Sequence, residues 1–143
     1  MTKDALLERD LTHSVIGAFY DAYNKLGYGF LESVCGAGLE HELRKRGHRV
    51  SREHAVPVIY DGVEIAFQRI DMLVDGRLVV EIKSTELLPA AAKRQLFNYL
   101  RGTGLSVGLL LHFGPEPRFH RLIHSARRID SEDSPHSRSS DHT

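Results

Sequence analysis

The sequence predicts a single α/β domain, and three observations carry that prediction. Two helical runs, each with one apolar stripe, come first; a stretch of strand periodicity broken by two Asp-Gly turns follows; an alanine-rich helix then leads into two further apolar strands. Composition agrees, since 143 residues with 41% hydrophobic and 27% charged content suit one ordinary domain with its own core.

Leu11, Val15, Ala18 or Phe19, Ala22 and Leu26 recur at spacings of three and four, the pattern of an amphipathic helix over 11–26 that Gly27 closes. After Gly27, Tyr28 and Gly29, a second stripe of Leu31, Cys35, Leu39 and Leu43 marks another helix. Lys45 and Arg46 stand in its last turn, where cations complement the carbonyl end, and Gly47 is its stop. The two helices are expected to pack as a pair. From 49 to 83 the period becomes two: VPVIY, the Asp61-Gly62 turn, VEIAFQRIDMLV, the Asp75-Gly76 turn and RLVVEIK read as an antiparallel meander. Pro89 opens a helix to about Arg101, favoured by Ala90, Ala91 and Ala92 and ended near Gly102 and Gly104. SVGLLLHF reads as a buried strand and RFHRLI as a shorter one. Residues 1–10 are read as an N-terminal segment, 11–126 as the domain and 127–143 as a disordered tail, because the Ser-, Asp- and His-rich stretch 130–143 has no apolar residue to bury.

No run approaches the roughly 20 apolar residues of a membrane span, and MTKDALLERD lacks a basic segment followed by an apolar one, so a cytoplasmic protein with no membrane partner is expected. The lone cysteine, Cys35, can form neither an internal disulfide nor, by itself, a cysteine metal site; on the apolar stripe it reads as a small buried hydrophobe. Formal net charge is zero, which withholds the overall positive field of many nucleic-acid binders. The charge is unevenly spread. Lys93, Arg94, Arg101, Arg118, Arg121, Arg127 and Arg128 crowd into the second half, and Asp130, Glu132, Asp133 and Asp141 follow them.

The candidate chemistry lies in RLVVEIKS. Strand parity sets Val79, Glu81 and Lys83 on one face, so a carboxylate and an ammonium stand side by side, and Asp71 on the preceding strand is a second hard oxygen donor. Two such carboxylates can hold Mg²⁺ or Mn²⁺ with water in the remaining positions. Register sets a condition. A two-residue Asp75-Gly76 loop would pair Asp71 with Val80 and turn it away from Glu81. A three-residue loop, Val74-Asp75-Gly76, with Gly76 left-handed, pairs Asp71 with Val79 and returns both carboxylates to one face. The odd loop or an equivalent bulge is therefore expected. Gln95 and Tyr99, at i and i+4, share a face of the following helix, where Gln95 can hold a metal-bound water or a phosphate and Tyr99 can orient Gln95, contact a nucleotide or pack in the core with its hydroxyl satisfied. Lys93 and Arg94 either track a phosphate backbone or solubilise the helix. Glu32, in the first turn of the second helix, either reaches the same metal or complements the helix dipole. Among the histidines only His120 and His124 have a ligand-like spacing, which leaves zinc as the lesser alternative.

GFLESV, RIDMLV, VVEIKS, QLFNYL and TGLSVGLLLHFG, taken in order over 11–124, resemble the GxxExxY proteins, a branch of the PD-(D/E)XK nuclease superfamily. The resemblance implies a restriction-endonuclease-like mixed β-sheet flanked by α-helices and a nuclease dependent on Mg²⁺ or Mn²⁺. It implies Asp71, Glu81 and Lys83 as the D…ExK core, with Glu32 as the acidic residue of the first-helix motif and a further ligand. Gln95 and Tyr99 match the QxxxY motif of RecB-type members, which act on DNA ends and single strands. Nucleic acid, DNA foremost, is then the expected partner, with a homodimer or a partner protein completing so small a domain. The alternative is a catalytically silent module of the same fold that binds nucleic acid or protein. This chain departs from the family at Cys35, which stands in place of the motif's tyrosine, at Tyr28, where GPG is usual, and at Ala92, where a histidine is common.

Overall fold

The computed structural model describes residues 8–124 and the backbone of 129–133. Helix α1, Arg9–Leu26, buries Leu11, Val15, Ala18, Phe19 and Ala22, the stripe its spacing predicts, and begins two residues inside the stretch read as an N-terminal segment. Gly27 ends it at a positive φ (76°), which glycine adopts readily, with its N–H donating to Tyr23 O. Helix α2, Glu32–Lys45, buries Cys35, Leu39 and Leu43. The two pack together, and Glu42, only 5% exposed, ties them by accepting from Lys25 of α1 at 2.6 Å and Lys45 at 3.3 Å. A buried carboxylate with two ammonium partners satisfies its charge where a lone one would not.

The strands are β1 (Val50–Tyr60), β2 (Val63–Val74), β3 (Leu78–Lys83), β4 (Val107–Phe113), β5 (Pro117–His124) and β6 (Ile129–Asp133), with helix α3 (Ala92–Thr103) between β3 and β4. They form one six-stranded sheet in sequence order, antiparallel throughout except between β3 and β4. That parallel pair needs a crossover, and α3 supplies it. Helices α1 and α2 cover one face through Met72, Val74, Leu78, Val80, Ile82, Leu109 and Leu111, while α3 covers the other through Ile70, Val79, Leu110 and Leu122. Gly108 of β4 lets α3 come close: a Cβ there would lie 2.7 Å from Leu96 Cδ1. Among the described residues no helix is long and apolar enough to cross a membrane.

Two expectations are corrected. The helix opened at Pro89 begins at Ala92; residues 89–91 form a preceding turn, closed by Ala92 N–H donating to Pro89 O. The tail read as disordered from 127 contains β6, antiparallel to β5 with Glu132 opposite Arg121. Composition does not report such a strand, because what holds it is the backbone edge of β5, the strand just before it, rather than apolar surface of its own. Residues 127–128 and 134–143 of that tail lie outside the described residues.

Candidate active site

The site begins at the β2–β3 turn. Register pairs Val74 with Leu78, Leu73 with Val79 and Met72 with Val80, leaving Asp75, Gly76 and Arg77 in the loop. Asp75 (φ 53°) and Gly76 (φ 67°) are both left-handed and Arg77 N–H donates to Val74 O at 3.0 Å, a primed turn with one extra residue after it. The loop is odd in length, as the carboxylate geometry requires. Its extra residue is Arg77 and not Val74, however, so Val79 faces Leu73 where Asp71 was expected. The shift of two residues preserves parity. Asp71 falls opposite Glu81, on the face that α3 covers.

Beyond Met72 and Val80 the ladder stops, and the two carboxylates take its place. Asp71 N–H donates to Glu81 Oε1 at 2.9 Å, and Ile82 N–H donates to Asp71 Oδ2 at 2.7 Å. Each side chain thus binds the backbone of the neighbouring strand, which fixes both at the point where β2 and β3 part. Glu81 is 4% exposed. Burial first, and the charge of Asp71 second, push its carboxyl from the ordinary 4.5 up to about 8, against a smaller downward pull from Lys83. Burial thus favours the protonated form of Glu81 well above the ordinary carboxylate range. Two hard oxygen donors, one of them enclosed and held in its protonated form partly by the charge of the other, form a donor set that suits a divalent cation.

Lys83 lies two residues along the same face, half-buried. Tyr99 of α3 is half-buried beside the pair: burial raises its hydroxyl pKa, and the charges of Glu81 and Asp71 raise it further. Gln95 stands one turn earlier on the same side of α3, exposed. Glu32 arrives from the opposite layer. Its Oε2 accepts from Ser84 N–H at 3.3 Å, and Ser84 Oγ donates to Phe30 O, so the start of α2 is fastened to the residue after Lys83. The structure does not gather Glu32 with Asp71 and Glu81 into one ligand group; among the described residues no three His, Cys, Asp or Glu side chains do so. Water or backbone carbonyls would complete the shell of an ion held there.

The basic residues diverge. Arg94 lies over the Phe97 ring at 5.0 Å, about 140° around the helix from Tyr99. Lys93 lines a cavity on the β4–β5 side. Ser84 is the site residue that motif reading passes over; it directly follows Lys83, and its contacts with Phe30 and Glu32 come from segments more than 50 positions away. The grouping of His112 with His120 also escapes it, because only the β4–β5 register brings them to one face.

The sheet, with its crossover and two carboxylates at the parting of two strands, defines a nuclease-type α/β fold. The family model for the PD-(D/E)XK nuclease superfamily matches residues 9–123, and the chain belongs to that superfamily. No curated protein matches it. The crystal structure of SSO0001 is similar at 20% identity and a TM-score of 0.45, covering 92% of this chain. The chain spans 60% of that protein's length.

Proposed function

We propose that this protein is a Mg²⁺- or Mn²⁺-dependent nuclease that hydrolyses phosphodiester bonds in nucleic acid, with DNA as the foremost substrate. The observation that carries the reading is the Asp71–Glu81 pair: two carboxylates locked to one another's strands on the face that also bears Lys83, in a chain of a nuclease superfamily. Asp71 and Glu81 are the residues to hold the ion. A bound divalent cation would polarise the phosphate and acidify a water molecule.

The side chains around the pair divide the remaining work. Lys83 offsets the negative charge that grows on the phosphate oxygens as water attacks. Glu32, held at the end of β3 through Ser84, orients water from the α2 side. Gln95 and Tyr99 approach from α3, where an amide and a hydroxyl can position a phosphate or a nucleotide. The likeness to the GxxExxY and QxxxY motifs supports the same division.

The test is a cleavage assay on linear, circular and single-stranded DNA with Mg²⁺, Mn²⁺ or chelator, using wild type and the Glu81→Ala and Lys83→Ala variants. Cleavage that needs the metal and vanishes in both folded variants is the expected result. Equal activity in all three proteins refutes the assignment.

A further inference from the structure

A cavity of about 630 Å³ lies between residues 86–90, the first turn of α3 and the adjoining ends of β4 and β5. Its volume is in the range that encloses a ligand of nucleotide size. Register explains what lines it. His112 pairs with Lys83 of β3 and with Arg118 of β5, and His120 pairs with Leu110, so parity places His112, Arg118 and His120 on the face that carries Glu81 and Lys83. His112 and His120 are 5% and 2% exposed. The His112 ring is fixed by its Nε2–H, which donates to Thr85 O at 2.7 Å, and burial lowers its pKa.

Lys93 enters from the first turn of α3, a helix with no acidic residue in that turn and no side chain capping its N-terminus. Its amide end adds positive potential there. Arg118 enters from β5 and, among the described residues, makes a side-chain contact of 3.4 Å to Glu116 at the exposed rim, where Glu86 also stands. With strands about 4.8 Å apart, Arg118 sits roughly 10 Å from Lys83 across the sheet, so a nucleic-acid strand passing Lys83 reaches it within a nucleotide or two.

We propose that this cavity takes one nucleotide of the bound strand, with its phosphate between Lys93 and Arg118 and its sugar or base against His112 and His120. The proposal rests on the nuclease reading for its choice of ligand, but it concerns binding and is separable from cleavage. Two cations from different elements facing one cavity match a phosphate group, and the rest of the lining, the edges of His112 and His120 included, is left for the remainder of the nucleotide.

The experiment is fluorescence anisotropy of the full chain in EDTA with a labelled single-stranded oligonucleotide carrying a 5′-phosphate, a 3′-phosphate or neither, with circular single-stranded DNA as competitor. Arg118→Gln and Lys93→Gln should each weaken binding by about 10-fold, and Glu116→Gln should tighten it. Preference for one phosphorylated end, lost in both variants, assigns the cavity to a strand terminus. Equal competition by circular DNA, with both variants still weakened, assigns it to an internal nucleotide. Wild-type affinity in both variants overturns the proposal, and does so whether or not the protein cleaves DNA. Weakened binding by the variants of a protein that never cleaves leaves the cavity assignment standing while the nuclease reading fails.

Discussion

Residues 63–69 of β2 are exposed along their whole length, whereas Ile70, Met72 and Val74 of the same strand are fully buried. The two stretches follow similar local patterns; Val63, Ile65 and Phe67 alternate with Glu64, Ala66 and Gln68 much as Ile70, Met72 and Val74 alternate with Asp71 and Leu73. What separates them is coverage. The inner half lies beneath the helices and beside β3, while the outer half extends past the three residues that pair with β3 and, among the described residues, pairs with β1 alone. Strand formation is thus a local property and burial a tertiary one. Asp71 stands just inside the boundary, where the ladder to β3 ends, and this is why a carboxylate there can be both rigid and reachable.

That contrast yields predictions of decreasing size. The largest concerns chemistry: Lys83→Ala at the inner boundary should lower cleavage by about 100- to 1,000-fold, the range for losing one group that stabilises charge in the transition state. Ile65→Ala in the outer half should leave the rate unchanged. Steady-state rates on linear DNA decide the matter, and a comparable loss in both would erase the distinction between the halves.

Next comes stability. Met72→Ala removes a fully buried side chain and should cost about 2–5 kcal/mol. Phe67→Ala, at a residue 63% exposed, should cost under about 1 kcal/mol. Urea melts of both variants measure the difference, and similar costs would mean that the outer hairpin is covered in solution.

A further effect on stability is expected from pH. The Glu81 carboxyl is raised from 4.5 to about 8 in the fold. Between those values the folded protein keeps a proton that the unfolded chain releases, so stability is greatest at low pH and is lost as pH rises through the window. The metal-free melting temperature should therefore fall from pH 5 to pH 8, after the titration of other groups is subtracted using Glu81→Gln, whose curve should be flatter. Identical slopes in the two proteins would show that Glu81 ionises normally.

Much of this was legible in the sequence. The stripes of α1 and α2 and the glycine stops came from spacing alone, and strand parity put Glu81 beside Lys83. The sequence also showed that the turn at Asp75 and Gly76 must be odd for Asp71 to join them. It could not show on which side the extra residue falls, because Val74 and Arg77 satisfy parity equally; the hydrogen bond from Arg77 N–H to Val74 O settles it. Strand β6 was hidden for another reason: its partner is the edge of β5, and the polar residues of 129–133 carry no local sign of it. Glu32 was legible as part of a motif, but its hold on Ser84 depends on packing between layers that no short window contains.

The most direct test of the central claim is calorimetric titration of the chelator-treated full chain with Mn²⁺ at pH 8, beside Asp71→Asn and Glu81→Gln variants shown to be folded. Binding in wild type that weakens at least about 10-fold in each variant, and weakens in wild type as pH falls to 6 because the ion must displace the Glu81 proton, is the predicted result. A folded wild-type protein that binds no Mn²⁺, or binds it no better than the variants do, would contradict the assignment of Asp71 and Glu81 as a metal-holding pair.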